Sequence, residues 1–225
     1  VDHADTRLDG PTGGFGFGYA LAAGRDVTDD GTPDVVVGTE SGDSVAIFSG
    51  DLSGGVLTMG DAAQLLVAAD PSDGFGSSLD FVENFDGDGK VGLVVGVPGA
   101  DHSGHTNVGE VRVYQGPFLG GATPMAAYTF NDTSIQLLGE TVINAHYVTD
   151  MPTSAVAASM SESGGRHGVL VFDSQPTGTD AKWQSQIYSD DYYDDFGEAL
   201  AVADQNGDGF DDLIVGQGEL QFGPF

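Results

Sequence analysis

Nine residues near the end of the chain carry the clearest chemistry: Asp204-Gln205-Asn206-Gly207-Asp208-Gly209-Phe210-Asp211-Asp212. Counted from Asp204, side-chain oxygens stand at positions 1, 3, 5 and 9, and a backbone carbonyl is available at position 7. Gly209 at position 6 permits a sharp turn. Alternate residues can then converge on one centre, with the carboxylate charge that a hard divalent cation needs. The candidate ligands are Asp204, Asn206, Asp208, Phe210 through its carbonyl, and Asp212. The same frame recurs in Asp26-Val27-Thr28-Asp29-Asp30-Gly31-Thr32-Pro33-Asp34, with Asp26, Thr28, Asp30, the Thr32 carbonyl and Asp34 as ligands. Thr28 is a neutral, weaker ligand at position 3. A partial copy, Asn84-Phe85-Asp86-Gly87-Asp88-Gly89-Lys90-Val91-Gly92, offers Asn84, Asp86, Asp88 and, at position 7, Lys90. Gly92 leaves it without a closing acid, so weaker binding or a water in that place is expected. A fourth segment, around residues 146–154, keeps only Asp150 and is expected to bind nothing. The expectation is two Ca²⁺ sites and a third, weaker one.

Two other readings compete. An EF-hand loop starts the same way but needs a Glu at position 12 and a helix on each side. Position 12 here is Val37, Val95 or Val215, each in a strand-like run. The ligand set therefore closes at position 9, between two strands. The blander alternative is an ordinary Asp-Gly hairpin turn. Against it, three carboxylates within ~5 Å repel one another by roughly 1–3 kcal/mol per pair at an effective dielectric of 20–80. A turn without an ion has little reason to accept that.

The elements that must hold these loops repeat along the chain. Phe17-Gly18, Phe75-Gly76, Leu138-Gly139 and Phe196-Gly197 each open a similar unit. A short apolar stretch follows, then the acidic loop. Next comes a β-rich run closed by a small residue: Val35-Val36-Val37-Gly38, Leu93-Val94-Val95-Gly96, Ala155-Val156-Ala157-Ala158 and Leu213-Ile214-Val215-Gly216. A third strand is expected at Val45-Ala46-Ile47-Phe48, Val111-Arg112-Val113-Tyr114 and Val169-Leu170-Val171-Phe172. A weaker fourth is expected at Leu65-Leu66-Val67-Ala68, Ala127-Tyr128-Thr129-Phe130 and Gln186-Ile187-Tyr188. Four short strands per repeat mark a propeller blade. The fold class is all-β: a β-propeller of about 58-residue, four-stranded blades, about four of them present. The repeats run approximately over residues 13–70, 71–133, 134–191 and 192–225, the last incomplete, as one propeller domain or fragment spanning 1–225. Residues 1–12 read as an outer strand of a preceding blade. Residues 60–69 are ambiguous, because Asp61-Ala62-Ala63-Gln64-Leu65-Leu66 could form a helical turn. An open arc leaves unpaired strand edges, so either a longer natural protein or pairing of the two ends is expected.

Bulk composition narrows the function. The formal net charge is −29, with 35 acidic and only 6 basic residues. Such a surface repels nucleic-acid phosphates and anionic membranes. The excess acid fits both Ca²⁺ loops and a solvated acidic surface of the kind adapted to high salt. There is no Cys and no long apolar run, so no disulfide and no membrane-spanning helix is expected. The chain opens on Val1 rather than Met, as expected of a mature protein or excised fragment.

The second unit joins these features most fully: Phe75-Gly76, then Val94-Val95-Gly96-Val97-Pro98-Gly99-Ala100-Asp101, then Gly109-Glu110-Val111-Arg112-Val113-Tyr114. It resembles the FG-GAP repeat of integrin α-subunit propellers, a repeat also found in bacterial surface proteins, a glycolipid-anchor phospholipase, polysaccharide lyases and lectins. The resemblance implies a ring of about seven blades, with further blades of the same chain a possible neighbour. It implies Ca²⁺ between the first two strands of certain blades, and ligands or partner subunits on the opposite face. That face would be built from loops such as residues 39–44, 99–109 and 159–167. The third unit departs from the pattern, with Leu138-Gly139 and an eroded loop. The missing cysteines point towards a microbial relative.

Other signals carry less. His102-Ser103-Gly104-His105 reads as a loop with two exposed His rather than a metal pair. Residues 13–18 are rejected as a phosphate loop, since no helix follows. Tyr192-Tyr193 reads as a strand-to-strand turn rather than a sugar platform. Asn131-Asp132-Thr133 fits a glycosylation acceptor. No nucleophile elbow and no Cys nucleophile is present; a glycosidic carboxylate pair stays open among the 35 acids. The first functional reading is a non-enzymatic, extracellular or cell-surface, calcium-binding module for adhesion or for protein or glycan recognition. The alternative is a polysaccharide- or glycolipid-acting enzyme, lyase or phospholipase, or its accessory propeller.

Overall fold

A computed structural model describes residues 6–12, 16–41, 44–50, 52, 54–68, 70, 72–85, 87–118, 124–128, 134–145, 154–172, 183–192 and 195–218. Among these the protein is all-β, with one 3₁₀ turn at Met59–Asp61. Strand β1 covers Thr6–Asp9. The first unit contains β2 (Phe17–Arg25), β3 (Asp34–Thr39), β4 (Ser44–Phe48), β5 (Gly55–Thr58) and β6 (Gln64–Val67). Its sheet runs β2-β3-β4-β6, with antiparallel neighbours. The second unit is a meander of β7 (Leu79–Glu83), β8 (Val91–Val97), β9 (Glu110–Tyr114) and β10 (Pro124–Tyr128). The third contains β11 (Ile135–Gln136), β12 (Val142–Asn144), β13 (Val156–Glu162), β14 (Arg166–Phe172) and β15 (Trp183–Tyr192). Both β11 and β12 pair with β13. The fourth shows β16 (Leu200–Ala203) paired with β17 (Asp212–Val215).

The β-rich runs of β3, β8 and β13 are continuous rather than alternating because both faces of these strands are covered. Leu93 and Val95 on β8 pack into a core shared with Val36, Val45 and Ile47 of the first unit. Val94, between them, points the other way, into a core with Val156, Ala158 and Leu170 of the third. Ala157 turns towards Phe196, Leu200 and Leu213 of the fourth. The period-2 strand therefore places successive residues in two different inter-sheet cores. At roughly 25 cal/mol per Å² of buried apolar surface, these shared cores are the main force stacking the units.

The Phe-Gly signature acquires a physical meaning here. Phe75 is fully buried and meets Tyr114 edge-on at 6.2 Å between ring centroids. Leu138, its counterpart in the third unit, is equally buried, so the departure from Phe keeps the anchor. The following glycines, Gly76, Gly139 and Gly197, share φ near +91°, a conformation costly for any residue with a Cβ. Gly139 also faces the small residue closing the β-rich run of the preceding unit: a Cβ on Gly96 would stand 1.9 Å from the Gly139 carbonyl oxygen. Hydrogen bonds reinforce this seam. The Ser78 hydroxyl donates to the Gly139 carbonyl at 2.7 Å, and the Asn144 N–H donates to the Asp80 carboxylate at 2.9 Å.

The expected strands of the first three units are present, with shifted ends. The fourth strands lie at Gln64–Val67, Pro124–Tyr128 and Trp183–Tyr192; Thr129 and Phe130 fall outside the described residues. The ambiguous segment resolves into the 3₁₀ turn followed by β6, since Leu66 reaches the inter-sheet core only as a strand. Two expectations change. Residues 6–9 do not form the outer strand of a preceding blade: β1 pairs in parallel with β5, inside the connection between the third and fourth strands of the first unit. The reason is burial, since Leu8 and Leu57 then cover Val37, Ala46 and Phe48 on the outer face of that sheet. Tyr192 is not in a turn but ends β15, opposite Arg166; Tyr193 lies outside the described residues. His102 and His105 exchange backbone hydrogen bonds of 2.9 Å across a tight turn. Asn131-Asp132-Thr133 and residues 146–153 also lie outside the described residues.

Candidate metal centre

Each acidic loop connects the first and second strands of its unit, and the backbone follows one frame. Position 4 has positive φ in all three copies (Asp29 62°, Gly87 85°, Gly207 76°), and so does position 6 (Gly31 90°, Gly89 78°, Gly209 91°). Gly takes these values freely, and Asp is one of the few other residues that does so at modest cost. The frame turns backbone N–H groups inward onto the side-chain oxygens. Position 1 accepts from the N–H of position 6 each time: Asp26 from Gly31 (2.8 Å), Asn84 from Gly89 (2.7 Å), Asp204 from Gly209 (3.0 Å). Position 5 accepts from position 7: Asp30 from Thr32 (2.8 Å), Asp88 from Lys90 (2.8 Å), Asp208 from Phe210 (2.9 Å). These bonds aim the carboxylates without using all their lone pairs.

The three loops differ in how far their ligands converge. In the first, Asp26, Asp30 and Asp34 each bring an oxygen within 4.8 Å of the others, and no other group of three His, Cys, Asp or Glu among the described residues does so. Two oxygens on opposite sides of a Ca²⁺ ion, each ~2.4 Å from it, are about 4.8 Å apart. Asp34 is fully buried. It accepts from the N–H groups of Val27 (2.8 Å), Thr28 (2.9 Å) and Gly50 (3.0 Å), and from the Thr28 hydroxyl (3.3 Å). Asp30 accepts from the hydroxyls of Ser49 and, at 2.6 Å, Thr32. The Ser49 hydroxyl first, then Thr32, lower the Asp30 carboxyl to about 2. A proton therefore competes weakly with a metal there. Asp26 and Asp30 face water, Asp34 does not: the cluster is open on one side and anchored on the other.

The fourth loop, most complete in sequence, holds its oxygens apart. Asn206 accepts from the Asp208 N–H (2.8 Å) and Asp212 from the Gln205 N–H (3.0 Å), while Phe210 is half exposed. In the second loop Asp86 lies outside the described residues. The Lys90 carbonyl, expected at position 7, accepts the Asn84 N–H (2.8 Å), and the Lys90 ammonium reaches Asp29 of the first loop at 3.7 Å. The loops of the first two units are thus tied together by an exposed ion pair.

Sequence reasoning missed Ser49 and Gly50. They follow β4, fifteen or more residues beyond Asp34, and touch Asp30 and Asp34 from a neighbouring strand end. The second unit repeats the device: Gln115, just after β9, donates to Asp88 at 2.7 Å. A polar residue followed by Gly directly after the third strand was the available signal, in Ser49-Gly50 and Gln115-Gly116.

The residues fit a hard cation: all donors are oxygen, three are carboxylates, and the nearest Lys pairs with Asp29 rather than the triad. Asp26, Asp30 and Asp34 would hold the ion, with Thr28 and the Thr32 carbonyl as further donors. Among the described residues no helix is long and apolar enough to cross a membrane. No curated protein matches the chain. The family profile of the FG-GAP repeat matches residues 75–114 and 196–219. These segments cover the second unit from Phe75 to the end of β9, and the fourth from Phe196 through its acidic loop, so these two stretches of the chain match the FG-GAP repeat.

Proposed function

We propose that the chain is a calcium-braced recognition module, working outside the cell or at its surface. The observation that carries this reading is the convergence of Asp26, Asp30 and Asp34 at the joint between the first two strands of one sheet. A divalent ion there would cancel the mutual repulsion of the triad and tie β2 to β3 and, through Ser49 and Gly50, to the end of β4. The Asp204 and Asn84 loops share the backbone frame and would close on an ion with lower affinity.

A ligand would then meet the opposite end of the inner strands. A depression of about 380 Å³ lies there, lined by Tyr19, Glu40, Ser77, Pro98, Glu140 and Glu198. Burial raises the Glu140 carboxyl, Glu198 adds to the rise and His167 opposes it. Three carboxylates beside an exposed Tyr suit a protein or glycan ligand presenting basic or hydroxyl donors. The enzymatic alternative needs a base and a cation converging in one cleft. A cavity of about 460 Å³ at the loop end of the first strands offers one cation, Arg25, already ion-paired with Glu83.

Thermal unfolding tests the calcium reading. Extracellular modules bind Ca²⁺ at ~10⁻⁴–10⁻³ M, so one site at 1 mM Ca²⁺ adds about 0.4–1.4 kcal/mol. That corresponds to a Tm rise of roughly 1–5 °C. The rise should exceed anything NaCl gives in chelator, and Asp30→Ala should remove most of it, whereas Asp208→Ala should remove a smaller part. Equal rescue by NaCl, or an unchanged calcium response in Asp30→Ala, would reject the site.

A further inference from the structure

Of the Asn residues in the chain, at positions 84, 107, 131, 144 and 206, only Asn206 is followed by Gly. Both residues of that pair are exposed, in the fourth acidic loop. The side-chain amide of an Asn can be attacked at Cγ by the backbone nitrogen of the next residue, and a Cβ on that residue obstructs the approach. Gly207 has no Cβ, and the direction one would take is open space. Asn84, which opens the second loop, is followed instead by Phe85, a buried residue.

The hydrogen bonds around Asn206 match the needs of that attack. The nucleophile is the Gly207 nitrogen, and its N–H donates to the Asp204 carboxylate at 2.7 Å. A base is thus already in contact with the proton that must leave. The Gly209 N–H donates to the other oxygen of Asp204 at 3.0 Å and holds the carboxylate in place. The electrophile is the Asn206 side-chain carbonyl, and its Oδ1 accepts from the Asp208 N–H at 2.8 Å. That donor polarises the carbonyl and faces the oxygen on which negative charge develops. It is shared with Asp204, whose Oδ1 lies 3.2 Å from the Asp208 nitrogen. The ring closed by the Asn206 to Asp208 bond runs through the Gly207 nitrogen, so the side chain is folded back over the atom that attacks it. The first and second loops share the backbone frame but carry Thr28 and Asp86 at position 3, so neither has an amide to lose there.

We propose that Asn206 is a self-modification site, at which the folded loop converts its own asparagine into aspartate and isoaspartate. The Gly207 nitrogen gives its proton to Asp204 and forms a bond to Asn206 Cγ. The bond from Cγ to the amide nitrogen breaks, that nitrogen takes up the proton, and ammonia leaves. The product is a five-membered succinimide joining residues 206 and 207. Water then adds to one of its two carbonyls and breaks one carbon–nitrogen bond. Opening at Cγ gives aspartate, and opening at the main-chain carbonyl gives isoaspartate. Nothing is oxidised or reduced, and Asp204 ends as it began. Aspartate adds a carboxylate at position 3, whereas isoaspartate lengthens the backbone by a methylene between positions 3 and 4. The change is one-way, so it marks the age of the folded protein. On the calcium reading above, it also alters the fourth loop's response to the ion; the chemistry itself does not rest on that reading.

Incubation of the full chain in neutral buffer with chelator tests this, followed by peptide mapping, mass spectrometry and enzymatic methylation of isoaspartate. The expected result is loss of ammonia at Asn206 before any other Asn, with both products present. Because the loop positions the reacting groups, the folded chain should react about fivefold faster or more than the same chain unfolded in urea. Asp204→Asn keeps an acceptor for the Gly207 N–H but removes the base, and should slow the reaction on the order of tenfold or more. Circular dichroism checks that this variant is folded, and the comparison with urea needs no variant at all. A folded chain that reacts no faster than the unfolded one would reduce Asn206 to an ordinary exposed Asn-Gly pair and overturn the proposal, as would an unchanged rate in folded Asp204→Asn. Mass and methylation report the chemistry alone, so they stay the same whether or not the fourth loop binds calcium.

Discussion

Gly96→Ala is expected to destabilise the chain by about 3 kcal/mol or more, the upper end of what overpacking costs. Gly96 ends the β-rich run of β8, and a Cβ there would lie 1.9 Å from the Gly139 carbonyl oxygen. The obstacle is backbone, so no rotamer change relieves it. Relief needs the second and third units to separate by more than 1 Å. That movement would open the core of Val94, Val156, Ala158 and Leu170 and pull on the Ser78 to Gly139 hydrogen bond. Gly38→Ala meets the same obstacle one unit earlier, 2.0 Å from the Gly76 carbonyl oxygen. Gly164, with open space around its Cβ direction, is the control, and Gly164→Ala should stay within about 0.5 kcal/mol of the parent. Urea unfolding measures all three. If Gly96→Ala unfolds at the same urea concentration as Gly164→Ala, close approach of the units at this seam is refuted.

Asp34→Ala should produce the second large loss, and without any metal. Asp34 is fully buried and is the shared acceptor for the N–H groups of Val27, Thr28 and Gly50. Each donor stranded in the interior costs about 1–3 kcal/mol. Removing a carboxylate also relieves repulsion from Asp26 and Asp30, which offsets part of that. The net expectation in chelator is a loss of about 3 kcal/mol, or roughly 6–12 °C in Tm for a chain of this size. Asp26 differs, because its two acceptor bonds are exposed and water can replace it. Asp26→Ala in chelator should therefore be close to neutral, and its defect should emerge only when Ca²⁺ is added. The two variants separate the scaffold role of position 9 from the ion-holding role of position 1. An Asp34→Ala protein as stable as the parent in chelator would show that the buried hydrogen bonds are not what organises the loop.

Much of this architecture was readable before any coordinates. Runs such as Leu93-Val94-Val95 lack alternation because each residue enters one of two flanking cores, and that leaves a plain apolar signature. The turns were readable because Gly31, Gly89 and Gly209 mark where the chain must adopt positive φ. The pairing of β1 with β5 was not readable. Leu8 and Leu57 are 49 positions apart, and nothing in either segment names the other. Ranking the acidic loops by completeness favoured Asp204-Asp212 over Asp26-Asp34, yet the latter carboxylates are the ones that converge. Asp30 and Asp34 are drawn in by Ser49 and Gly50, which belong to the end of a different strand. In the fourth unit the described residues stop at Gly218, before any third strand.

The order of residues alone determined the repeat, the strand character and the oxygen spacing of each loop, because these depend on side-chain type and on dihedral preferences over fewer than ten positions. Which carboxylates meet, and which glycines sit against a neighbouring carbonyl, were decided only when the units stacked. Those outcomes are distances between segments tens of residues apart, set by how the inter-sheet cores pack, and no local preference encodes them.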